Sequence, residues 1–176
     1  MRELDSSKKN FYKTLDIILN KRRNKINSNI GSVINIIKDV KKNGDKALLK
    51  YEKKFNKNNV LIPSNKRISK SINLLDKKVK KAIDLAFDRI FKFHSFQKFK
   101  NIKYTDKFKN KLEYRYSPID SVAIYVPGSS ASYPSSVLMN AIPAMVAGVR
   151  RIVMINPNYQ GKLNPAVLYA ARKCKI

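Results

Sequence analysis

The chain has 176 residues, enough for one sizeable domain or two small ones with a real core. Its formal net charge of +26 points first to nucleic acid or an anionic surface as partner, but the basic residues are spread over the amino-terminal two-thirds with no stripe, Arg cluster or RNP-type aromatic motif. Lys, Asn and Ile are abundant together, so a compositional drift on solvent-facing positions accounts for the charge, and specific nucleic-acid binding is not expected. Cys174 is the only cysteine, which excludes an intrachain disulfide and fits a reducing cytoplasm.

Residues 1–28 read as an amino-terminal arm. Its start is polar and its apolar run Leu15–Leu19 is too short for a signal core, while Phe11, Leu15, Ile18 and Leu19 recur at helical spacing. Such a stripe needs a surface to cover it, either in its own domain or on a second subunit. Residues 29–116 read as a mainly helical region. Ile30, Val33, Ile34, Ile37 and Val40 mark one helix face, Asn43-Gly44 ends it, and Asp45 caps a second helix carrying Ala47, Leu48 and Tyr51. Ser69–Phe99 continues the helical pattern through Ile72, Leu75, Val79, Ile83, Ala86, Ile90 and Phe93, with an interruption near Asp76. His94, the single histidine, and Gln97 lie on this helix and read as hydrogen-bonding groups within an interface. Lys103–Tyr116 alternates charged and aromatic residues and suits a hairpin or an extended link.

At Ser117 the composition shifts to Val, Ala, Ser and Pro, which marks a boundary and opens a region over 117–176. The order there is strand Ser121–Val126, helix around Ser136–Gly148, strand Arg151–Ile155 and helix Pro165–Lys173 capped by Asn164. Gly148 permits the tight return that a right-handed parallel crossover requires. The longest apolar run, Val137–Val149, is broken by Asn140 and Pro143 and is shorter than the roughly 20 residues of a membrane span. The fold class is therefore α/β: an N-terminal helical region followed by an incomplete Rossmann-like β-α-β-α unit with parallel strands. The loop after the first of these strands lies where open α/β sheets bind ligands.

The wording of that loop is specific. Tyr125-Val-Pro-Gly128, then Tyr133-Pro-Ser-Ser-Val-Leu-Met-Asn-Ala-Ile-Pro-Ala144, then Ala147-Gly-Val149, closely resembles the cofactor-side segment of histidinol dehydrogenases. Val40 to Phe55 is similar to the family's Val-x-x-x-Gly-Asp-x-Ala-Leu-x-x-Tyr-x-x-x-Phe, and Phe93-His94-Ser-Phe-Gln97 matches a third segment in family order. The resemblance runs from about Leu19 to the last residue and covers the first two-fifths or so of a full-length member, so the chain reads as a truncated, N-terminal portion.

The resemblance implies NAD-dependent oxidation of L-histidinol to L-histidine, the end of histidine biosynthesis, in a cytoplasmic homodimer whose arm contacts the second subunit. It implies NAD and zinc as cofactors. The family's catalytic and zinc-holding groups fall in its later part, so no catalytic or metal-binding residue is assigned here, and the chain alone is expected to be inactive. Cofactor contact does carry over: Tyr125 matches the tyrosine that lines the NAD site, and Pro127 and Gly128 shape the backbone beside it. Ala123 and Ser129 stand where the family usually has glycine, and a positive φ at Ser129 would cost about 1 kcal/mol. The alternative function is a non-enzymatic basic module that binds nucleic acid or a partner chain, which binding that falls steeply with salt would reveal.

Overall fold

The structure is a computed structural model that describes residues 4–128, 132–157 and 159–176, with the side chains of 21–29 and 159 outside the description. The chain divides into two compact units, Met1–Tyr51 and Glu52–Ile176.

The first unit is built from α1, Phe11–Asn56, whose last residues enter the second unit. The helix runs past residue 28 and departs from helical geometry at Gly44 (φ 54°, ψ −135°). Glycine alone takes that conformation without a Cβ penalty, so the expected end of one helix and start of another lies at the expected residue. Asp39 spans the break, accepting hydrogen bonds from Asn43 Nδ2 at 2.6 Å, Lys50 Nζ at 3.0 Å and Tyr51 Oη at 2.8 Å. The expected apolar face of Ile30, Val33, Ile34 and Ile37 is exposed. A single helix has nothing within its own unit on which to bury such a stripe.

In the second unit the long helical pattern resolves into α2, Asn65–Asn73, and α3, Lys77–Ser95. Asp76 accounts for the interruption, because its carboxylate accepts from Lys78 N–H at 2.6 Å and caps α3. The pattern also begins earlier than Ser69, where Ser64 caps α2, and stops short of Phe99. The expected hairpin begins one residue before Lys103, with β1, Ile102–Thr105, antiparallel to β2, Lys111–Tyr114. Its turn is set by Asp106 Oδ1, which accepts from the N–H groups of Phe108 and Asn110, both at 2.8 Å.

The α/β part follows as β3, Ser121–Tyr125; α4, Pro134–Ala147; β4, Arg151–Ile155; and α5, Pro165–Lys173. β3 and β4 are parallel, in register from Ser121 opposite Arg151 to Tyr125 opposite Ile155. Gly148 ends α4 in the left-handed region (φ 89°), and Val149 N–H returns to Ala144 O at 3.0 Å, which reverses the chain into β4. α4 starts two residues before its expected position, with Pro134 in the first turn, where a missing N–H costs nothing.

Ile83 of α3, Ile124 and Val126, Val137, Leu138, Ala141 and Ile142 of α4, and Val167, Ala170, Ala171 and Cys174 form one core. Each large side chain among them contributes about 2 kcal/mol through burial. Cys174 lies inside it, and burial pushes its thiol up to about 11. At the edge Lys173 Nζ lies 2.9 Å from Asp84 Oδ1, and Tyr169 Oη donates to the same carboxylate at 3.0 Å. These contacts tie α5 to α3, and Lys173 holds the Asp84 carboxyl below its ordinary range.

Candidate functional site

The carboxyl ends of β3 and β4 stand side by side, and the loops that leave the two strands define this end of the sheet. Strand alternation sends Ile124 and Val126 inward, at 7% and 0% exposure, and leaves Tyr125 62% exposed at the last paired position. The ladder's final bond runs from Val126 N–H to Ile155 O at 2.9 Å. Pro127 is exposed beyond it and Gly128 half-buried.

Gly128 has a steric reason to be glycine. A Cβ there would stand 1.4 Å from the carbonyl oxygen of Pro157 and 3.1 Å from Asn156 Nδ2. The two loops therefore touch backbone to backbone. Asn156 Nδ2 donates to Val126 O at 2.8 Å and lies 3.4 Å from Pro127 O. Further round, Ser132 Oγ donates to Asn164 Oδ1 at 3.1 Å, and the same oxygen caps α5 by accepting from Ala166 and Val167 N–H at 3.0 and 3.2 Å.

Tyr125, Pro127 and Gly128 thus lie together at the strand end. Ala123 occupies an ordinary exposed strand position, and Ser129 lies outside the described residues. Asn156, Ser132 and Asn164 join this site through contacts between distant segments that the sequence does not reveal. The available signal was an Asn-Pro pair directly after β4, in the place topologically equivalent to Val126-Pro127 after β3.

His94 lies elsewhere. Its Nδ1 donates to Gln97 Oε1 at 2.6 Å, so the two do pair by a hydrogen bond. The pair lines a cleft of about 440 Å³ with Phe99, Tyr116, Pro118 and Pro143. Among the described residues no group of three or more His, Cys, Asp or Glu converges as a metal cage. No described helix is long and apolar enough to cross a membrane.

Comparison with known proteins places this geometry in context. The family described as Histidinol dehydrogenase matches residues 19–176. The chain is 73% identical over 173 residues to the histidinol dehydrogenase of Pelagibacter ubique (strain HTCC1062), covering 98% of this chain and 40% of that protein. It is 37% identical over 182 residues to that of Gluconobacter oxydans (strain 621H), covering 100% and 42%. The crystal structure of histidinol dehydrogenase from Elizabethkingia anophelis superposes with a TM-score of 0.78 at 34% identity, over 84% of this chain and 35% of that one. The chain therefore spans about two-fifths of the length of the relatives it matches.

Proposed function

The chain belongs to the histidinol dehydrogenase family, and from that premise we propose that its protein oxidises L-histidinol to L-histidine with NAD, this chain supplying part of the cofactor surface. The observation that carries the reading is the exposed Tyr125 ring at the carboxyl end of a parallel strand pair, the end at which such sheets take ligands. The groups there fit a nucleotide. The Tyr125 ring offers a flat apolar surface with a hydroxyl at its tip, Pro127 adds an exposed apolar edge, and Ser132 supplies a further hydroxyl.

NAD would serve there as hydride acceptor. Tyr125 would pack on the nucleotide and hydrogen-bond its ribose or phosphate, while Pro127 and Gly128 hold the backbone close beside it. Zinc is different: the described residues present no cage for it, so no step is assigned to a metal here. In this reading residues 1–28 act as an arm against a second subunit of a cytoplasmic homodimer, 29–116 as a helical region, and 117–176 as the cofactor-side region.

The test is an exchange. This chain replaces the matching 40% of the Pelagibacter ubique relative, and NADH formation from L-histidinol is followed. Turnover that falls when Tyr125→Ala is introduced supports the reading, with a rise in the KM for NAD of about tenfold for a lost aromatic contact and hydrogen bond. An active hybrid indifferent to Tyr125→Ala removes the tyrosine from the site, and an inactive but folded hybrid removes the activity.

A further inference from the structure

We propose that Asn156 is a positioning residue for the cofactor surface, its carboxamide setting the backbone after β3 and thereby the places of Tyr125 and Gly128. The inference rests on the reading of this end of the sheet as NAD-binding.

The parallel ladder ends where Val126 N–H meets Ile155 O. The next acceptor facing β4, the carbonyl of Val126, comes after that last bond, and the residue that would donate to it from the continuation of β4, Pro157, has no N–H. Val126 is fully buried, so its carbonyl requires a partner from the protein. Asn156 supplies it at 2.8 Å and reaches toward Pro127 O at 3.4 Å with the same nitrogen. A side chain thus carries the pairing of the two chain segments one step beyond the strands. The adjoining Pro157 carbonyl fills the space a Cβ at Gly128 would need, so the register of the two loops is fixed by a hydrogen bond and a steric stop together.

The base from which Asn156 acts is itself held. Arg67 Nη2 donates to Gly161 O at 3.0 Å and Ser71 Oγ to Leu163 O at 3.4 Å, anchoring the β4–α5 connection to α2. Ser132 joins the far end of the first loop to Asn164 of the second. With one loop fixed to the helices, the Asn156 amide transmits that position to the other. A donor is what the chemistry demands: an aspartate of the same size would set a carboxylate against two carbonyl oxygens, whereas a protonated one could donate.

The test uses the full chain, with NAD titrated while the backbone amide resonances of Tyr125 and Gly128 are followed. Asn156→Asp should raise the Kd for NAD about tenfold at neutral pH, the worth of one well-placed hydrogen bond. Its Kd should approach the wild-type value as pH is lowered through the carboxyl range, because the neutral acid regains an O–H donor; a merely structural defect would not be relieved in that way. Asn156→Ser keeps a shorter donor and should lose less, which preserves the test if the aspartate variant fails to fold. An unchanged Kd in Asn156→Asp, or one raised equally at every pH, overturns the role of Asn156. If Tyr125→Ala weakens binding while Asn156→Asp does not, the cofactor reading stands and this inference falls. No NAD-dependent shift in the wild-type chain overturns the inference, and the hybrid enzyme then decides the reading independently.

Discussion

Tyr51 donates its hydroxyl to Asp39 across the break at Gly44, with 2.8 Å between Oη and Oδ2. Hydrogen bonds from Asn43, Lys50 and Tyr51 hold the Asp39 carboxyl down to about 2, below its ordinary 3.8. A depressed carboxyl contributes stability that is fully present above the unfolded-state value and is lost as pH falls through the folded one. Carboxyl carbon NMR should therefore place the Asp39 midpoint near 2, and the geometry around Gly44 should loosen as pH falls from about 4 to about 2. In Asp39→Asn that acid-dependent loosening should disappear. A midpoint near 3.8 would show that the three donors do not act together.

Ile142 of α4 is fully buried in the core, whereas Leu85 of α3 is 61% exposed. Ile142→Ala leaves a cavity between close-packed elements and should cost about 3 kcal/mol, while Leu85→Ala should stay within about 0.5 kcal/mol. Urea denaturation of the two variants checks the contrast, and equal midpoints would mean that the core is misplaced.

The sequence was most legible where local chemistry and burial agree. Arg151–Ile155 and Pro165–Lys173 have the bounds that β-branched composition, an Asn cap and an N-terminal proline dictate. Asp76 and Gly44 interrupt helices because their effects are local too. What periodicity could not show is which apolar face is covered: the stripe along α2 and α3 is buried at Ile72 and Ile83 yet open at Val79 and Phe93. Burial depends on partners distant in sequence, which a repeat of three or four residues does not name. The same limit hid Asn156, since its hydrogen bond reaches back 30 residues to Val126.

The chain alone, given L-histidinol, NAD and zinc, should form no NADH above background. It holds one histidine, His94, whose Nδ1 is engaged by Gln97 at 2.6 Å on a helix separate from the strand ends. Proton abstraction from an alcohol requires a base within about 3 Å of the substrate. The carboxylate nearest Tyr125 in sequence is Asp120, before the opposite end of β3 and about 17 Å away along an extended strand. Pairing two copies repeats the same inventory without changing its chemistry. Reproducible turnover abolished by a chelator would overturn this expectation.

Gly128 and Gly31 should respond oppositely to the same added methyl group. At Gly31, in an exposed stretch of α1, nothing lies within 4 Å of the new Cβ, so Gly31→Ala should favour the helix by about 0.7 kcal/mol through lower backbone entropy in the unfolded chain. At Gly128 the Cβ would meet the Pro157 carbonyl oxygen at 1.4 Å and its carbon at 2.6 Å. These are backbone atoms, unable to swing aside as the tip of a long side chain would. Gly128→Ala must part the loops after β3 and β4, stretching the bond from Asn156 to Val126 O, and should cost about 2 kcal/mol. Parting them also moves Tyr125 relative to Asn156, so affinity for NAD should fall in the same variant. Thermal melts followed by circular dichroism measure the two stabilities, and a Gly128→Ala chain that melts with the wild type would show that the loops do not meet at this glycine.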